Sequence, residues 1–247
     1  PQTECFDPRK AWHRYYRALK QLGFQVEILS PENDPAPPPY PVVCAPFVDL
    51  VETRWLDHWR RYAEGGGHLI VSARTATRDR RGHFPKCRYG QRLMDLTGGE
   101  LRGYDVLPEG HQSRIQLTDS STHPWNVWAE QWRAPAHARV LATFADQFYT
   151  GACAAFQRDL GKGSLSLIGV DAPGLTETLL HTAIHAHMPG LRSLPAHCLY
   201  HRRGRLGIFL NYSDRPVTVP DHLHREQPVQ IGSLDVPPAG VCVWELV

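Results

Sequence analysis

Residues 66–79, GGHLIVSARTATRD, read as a glycine turn, a short apolar run and an abrupt polar stop. The run His68-Leu69-Ile70-Val71, bounded by glycine, suits a strand buried on both faces, as strands of parallel sheets are. In an open parallel sheet, ligands bind beyond the carboxyl ends of the strands. Ser72 and Arg74, at that end, are therefore the first residues to test for chemistry.

Working outward, the segments on either side support the same layering. Upstream, RWLDHWRRYAE (residues 54–64) places Trp55, Trp59 and Tyr62 at i, i+4 and i+7, a helical stripe suited to packing on a sheet. Thr53 stands where a helix cap belongs. KAWHRYYRALKQL (10–22) is a helix with Gly23 at its stop, FQVEIL (24–29) a strand, the proline-rich 30–41 a loop, and VVCAPF (42–47) a buried strand. Helix, strand, loop, strand, helix, strand in that order predict a three-layer α/β domain with a mostly parallel sheet.

From 80 to 150 the pattern is less regular. YGQRLMDLTGG (89–99) predicts a short helix with a glycine cap. Residues 137–170 read as alternating strands joined by glycine turns, with DLGKGS (159–164) as a hairpin, and 176–188 as a helix ended by Pro189-Gly190. After about 192, short β runs at 197–203, 205–213, 216–220, 228–232 and 241–247 predict a small antiparallel β-sandwich or barrel. The expected division is 1–190 and 191–247.

The 247 residues are 42% hydrophobic and 21% charged with net charge +2, so no footprint for nucleic acid is present. No run of 18 apolar residues implies a membrane span, and no signal peptide opens the chain. Cysteines at 5, 44, 87, 153, 198 and 242 have no CxxC spacing, which argues for a reducing, cytoplasmic setting. With Pro as its first residue, the chain is expected to be a piece of a longer polypeptide.

No site emerges strongly. The context of Ser72, IVSARTA, lacks the glycines of a nucleophile elbow, and neither Cys44 nor Cys87 sits in one. His181 and His185 are four apart, but two ligands do not make a metal site. GGGHLIV has its glycines before a strand, where a dinucleotide loop has them after one. No cofactor, metal or catalytic residue is expected. Trp125, Trp128 and Trp132 could stack on sugars if exposed and coplanar. Arg74, Thr75 and Asp79, in a loop with Arg78, Arg80 and Arg81, are candidates for an interface or structural role.

Taken together the segments resemble the trimerisation domain of glycoside hydrolase family 42 β-galactosidases. The resemblance rests on Tyr15 to Leu19, Val26 to Pro31, Ala45-Pro46, Tyr62 to Gly66 and Ser72 to Asp79. It continues through residues 140–170 and the closing LDVPPAGVCVWEL. Ala76 stands where the family has glycine, and one alanine is inserted before Arg74. PQTECFD is a poor match to the family's opening strand. The resemblance implies a class I glutamine amidotransferase-like scaffold without its nucleophile, a homotrimer, and a parent enzyme that hydrolyses terminal β-galactosides on a separate N-terminal TIM barrel. Such a barrel takes about 250 residues, and its eight βα repeats are not here. Retaining hydrolysis needs two carboxylates about 5 Å apart on that barrel, so no catalytic residue transfers to this chain. Rival readings are a stand-alone amidotransferase-like hydrolase and a carbohydrate-binding module.

Overall fold

The computed structural model describes residues 7–30, 40–84, 86–224 and 227–246. The helices are α1 (Pro8–Gln21), α2 (Thr53–Glu64), α3 (Gln91–Thr97), α4 (Leu175–His187) and α5 (Asp221–His224). Strands β1 (Val42–Ala45), β2 (His68–Ser72), β3 (Glu100–Val106), β4 (Ser113–Leu117), β5 (Thr122–Trp125), β6 (Trp128–Arg133), β7 (Arg139–Phe144), β8 (Cys153–Leu160) and β9 (Gly163–Ile168) share one sheet. Strands β10 (Cys198–Arg203), β11 (Leu206–Asn211), β13 (Val229–Ile231) and β15 (Val241–Glu245) form a second, and β12 (Val217–Thr218) with β14 (Asp235–Val236) a third. By contacts the chain divides into two compact units, 1–15 with 29–189, and 16–28 with 190–247.

In the large unit the order is β1-β2-β9-β8-β7-β4-β5, with β6 bridging β8 and β3 pairing β6. Only β1–β2 and β2–β9 run parallel; every other pairing is antiparallel. The sheet is mixed, which corrects the expectation of a mostly parallel one. A parallel return needs a crossover of a dozen or more residues, usually helical, and no helix stands between Thr97 and Leu175. Tight turns there impose hairpins instead, and β3 to β6 fill the stretch whose pattern looked irregular.

The central strands explain their own composition. All five residues of β2 and all six of β9 are buried, because helices cover both faces. On one face Leu69, Val71, Leu165 and Leu167 join Trp55, Leu56 and Tyr62 of α2 and Leu93 and Leu96 of α3 in one core. On the other, α4 packs over Ser164 and Gln157. Close approach of α2 to the sheet requires two glycines. A Cβ on Gly67 would lie 2.1 Å from the Tyr62 ring, and one on Gly163 would lie 2.2 Å from the Gly67 carbonyl oxygen.

Two local expectations fail. Residues 24–29 form no strand: Ile28 is 87% exposed, and Gln25 instead bonds Tyr200 and Arg202 through its side chain. Alternating apolar residues make a strand only where a partner ladder and a buried face are available. Thr53 is the first residue of α2 rather than its cap; the cap is Glu52, without a side-chain capping bond. Of the poor match at PQTECFD, residues 1–6 lie outside the described residues.

The small unit is antiparallel, with Trp244 fully buried and stacked on Tyr200 at 5.8 Å. Asn211, 1% exposed, ties its turns together. Its amide donates to the carbonyls of Arg215, Val236 and Pro237, and its oxygen accepts from Ser213.

Candidate functional site

The carboxyl ends of β1, β2 and β9 meet where a ligand would sit in an open parallel sheet. Here that edge is filled from inside. Ser72 is fully buried; its hydroxyl accepts the Phe47 N–H at 2.6 Å and donates to the Ala73 carbonyl at 3.1 Å. Both roles serve the backbone, so the hydroxyl is not poised for attack. Burial pushes the Cys44 thiol up to about 12, the opposite of what a nucleophilic thiolate needs. Cys87 lies exposed in the loop before α3. Tyr15 packs edge-on against Phe47, and beside it Arg14 pairs with Asp171, whose Oδ1 also accepts from the Thr176 hydroxyl.

The chain leaves β2 through a strained elbow. Ala73 keeps a sheet bond to the Ile168 carbonyl, and then Arg74 and Ala76 adopt φ of 59° and 58°. Left-handed backbone costs a non-glycine residue about 1 kcal/mol, so the interior must hold it. Thr75, fully buried, faces the Ala45 carbonyl at 3.4 Å. Thr77 donates to Asp49, which also pairs with Arg78. Asp79 folds the loop back by accepting the N–H groups of His83 and Arg81, which hold its carboxyl below the usual range. Of the three residues singled out from sequence, Arg74 and Thr75 thus work inward, while half-buried Asp79 lines an open groove of about 730 Å³ with Asp57, Arg60, Arg80 and Arg92.

The element that holds the elbow is Glu130 on β6, 1% exposed. Its Oε1 accepts the Arg74 N–H at 2.9 Å, and the Tyr89 hydroxyl approaches it at 3.5 Å. Burial pushes its carboxyl up to about 7, against the Arg74 N–H, the indole N–H groups of Trp132 and Trp128, and the Arg74 charge, all of which favour the anion. The Arg74 guanidinium sits 4.9 Å from the centre of the Trp128 ring, whose indole stacks on Tyr104 at 4.7 Å. Sequence reasoning passed over Glu130. The signal was there: Trp128, Glu130 and Trp132 alternate onto one face of a strand, and a carboxylate between two tryptophans is a charge on an apolar face.

The same burial overturns the sugar-stacking platform. Trp125, Trp128 and Trp132 are 1–2% exposed and packed against Phe144, Tyr104 and Phe156 respectively. His181 and His185 are half-buried on α4, their rings 6.4 Å apart, beside a cavity of about 570 Å³ shared with Arg139 and Glu177. Among the described residues no group of three or more His, Cys, Asp or Glu is placed to hold a metal ion. Among them, too, no helix is long and apolar enough to cross a membrane.

A second buried titratable group lies under α4. His68 is fully buried, its Nδ1 2.6 Å from the Ser164 hydroxyl and its ring stacked 4.9 Å from His187. Burial, then the charge of His187, lowers it to about 3. The unfolded chain therefore binds this proton first as pH falls. The stability due to neutral His68 is whole above about pH 6.5 and is lost as pH drops toward 3. By pH ~4.5 the loss is roughly 2–3 kcal/mol. His187, His201 and His222, also lowered by burial, act in the same direction. Urea unfolding at a series of pH values checks this: His68→Gln should flatten the acid slope, and an unchanged slope would remove His68 as its cause.

Comparison with known proteins places this architecture. The family model described as the beta-galactosidase trimerisation domain matches residues 1–188. The chain belongs to that family. It is 29% identical over 155 residues to a β-galactosidase of Haloferax lucentense, covering 63% of this chain and 23% of that one. A β-galactosidase of Geobacillus sp. (strain Y412MC61) is 28% identical over the same length, with 22% of it covered. The chain thus spans less than a quarter of these relatives. Among solved structures, the β-galactosidase of Bacillus circulans sp. alkalophilus superposes with a TM-score of 0.82 at 18% identity, over 99% of this chain and 38% of that one. That of Halorubrum lacusprofundi gives 0.80 at 23% identity, over 98% and 36%.

Proposed function

We propose that this chain is the trimerisation and C-terminal region of a glycoside hydrolase family 42 β-galactosidase, and that its own role is assembly and not bond cleavage. The observation that carries the reading is the match of residues 1–188 to the trimerisation domain, joined to a sheet edge filled by Ser72, Tyr15 and Arg14–Asp171. Residues 1–190 form an amidotransferase-like domain whose nucleophile position is occupied by structural groups, and 191–247 a small β domain. The parent enzyme hydrolyses terminal β-D-galactosides in the cytoplasm on a TIM barrel encoded outside this span. Arg74 and Thr75 brace the loop from within, and Asp79 shapes the part that meets a neighbouring subunit.

A ring of three uses a heterologous interface, two different patches on each copy. Light scattering on the purified chain tests the assembly role: the expected mass is three times 27.9 kDa. A chain that stays monomeric at micromolar concentration would refute the claim that these residues carry the contacts. Turnover of a nitrophenyl galactoside by this span alone would equally overturn the division of labour.

A further inference from the structure

Both groups bonded to the Glu130 carboxylate, at Oε1, are proton donors. The Arg74 N–H comes from the elbow and the Tyr89 hydroxyl from the loop before α3, while the indole N–H groups of Trp128 and Trp132 lie nearby on β6 without a hydrogen bond. The charged groups near this cluster are Arg74 on the elbow and Asp49, which pairs with Arg78 and bears on Tyr89; the neutral Tyr104 hydroxyl on β3 is the other titratable group beside Tyr89. The donor set fits an anion, while full burial favours the neutral acid. Such opposition leaves a group that changes charge in the neutral range without leaving the interior.

We propose that Glu130 is a proton-operated latch on the β2 elbow: the charged carboxylate grips the main chain at Arg74, and protonation lets residues 73–79 loosen. The grip is a charge-assisted hydrogen bond on a residue held at φ 59°, where backbone strain pushes toward release. Protonation turns that bond into a neutral one, about half as strong, and removes the attraction to the Arg74 guanidinium above Trp128. Tyr89 alone among the neighbours can turn to accept the new proton, since hydroxyl groups both donate and accept.

The latch has a signature that a merely structural glutamate lacks. Because Glu130 is raised above its unfolded value, its charging costs global stability as pH rises toward about 7. Local protection of the elbow moves the other way and increases over the same range.

Hydrogen exchange of the whole chain, read as protection factors at about pH 5.5 and about pH 8.5, separates the two. The Arg74 amide is expected to gain about tenfold in protection at the higher pH, while the Leu167 amide in β9 gains none. Glu130→Gln keeps an acceptor oxygen without the charge, and at the higher pH its elbow should exchange like the wild type at the lower one. Wild-type protection at Arg74 that is flat with pH, or a change shared equally by Leu167, overturns the latch. So does Glu130→Gln retaining the wild-type pH dependence. The wild-type comparison alone decides the matter should the variant fail to fold.

Discussion

Gly163→Ala is expected to unfold the large unit or to lower its melting temperature by about 10 °C or more, a loss of roughly 4–5 kcal/mol. The added Cβ would sit 2.2 Å from the Gly67 carbonyl oxygen, 2.5 Å from that of Ala63 and 2.7 Å from the Gly66 carbonyl carbon. All three are backbone atoms, so no rotamer relieves the clash; the end of α2 must move off β9. That movement would open the core made by Tyr62, Leu69 and Leu165. Gly190→Ala is the control, since open space surrounds that position and the change should be near neutral. Thermal melts followed by circular dichroism compare the two. A Gly163→Ala protein melting within a few degrees of wild type would show that α2 is not seated as tightly as described.

Asp171→Ala should cost roughly 3–5 kcal/mol, because it leaves Arg14 buried without its counter-ion. The Asp171 side chain is 6% exposed and that of Arg14 19%, so water offers little replacement. The Thr176 hydroxyl at the start of α4 loses its acceptor in the same change. Replacing both partners, Arg14→Met with Asp171→Leu, should recover much of the loss, since paired buried charges contribute little net stability compared with apolar residues of similar volume. Denaturant unfolding of the two single variants and the double one measures the coupling. Additive costs would mean the pair is solvated and the edge of the sheet is not sealed as the structure shows.

Both changes lie where the strand pattern was easiest to read, yet neither was visible as a sensitive position. Gly163 appeared as the second glycine of a hairpin, which it is, in the β8–β9 turn. Its contact with α2 depends on a helix about a hundred residues earlier in the chain. Arg14 and Asp171 are likewise far apart in sequence, 157 residues, so no local pattern could join them. The elbow was found as a place, because polar residues follow the apolar run of β2. What it does was not, because its partner Glu130 belongs to β6, a strand hidden in the stretch that lacked clear periodicity. Ala76 shows the same division. The sequence shows an alanine where the resembling family has glycine; the structure shows the residue bearing φ 58°.

By itself the sequence determined the helices α1 to α4, the strand β1, though at the sheet edge it is only half-buried, the buried strands β2 and β9, the β8–β9 hairpin and the small β region after residue 192, all of which follow from local periodicity and turn residues. It also carried the ordered segments that resemble the family. Only the tertiary structure decided that the sheet is mixed, that 24–29 finds no ladder, that the tryptophans face inward and that Glu130 closes on Arg74. The physical reason is that side-chain period reports which face is apolar, whereas strand direction, burial of a charge and strain at an elbow depend on which distant segment supplies the other half of the contact.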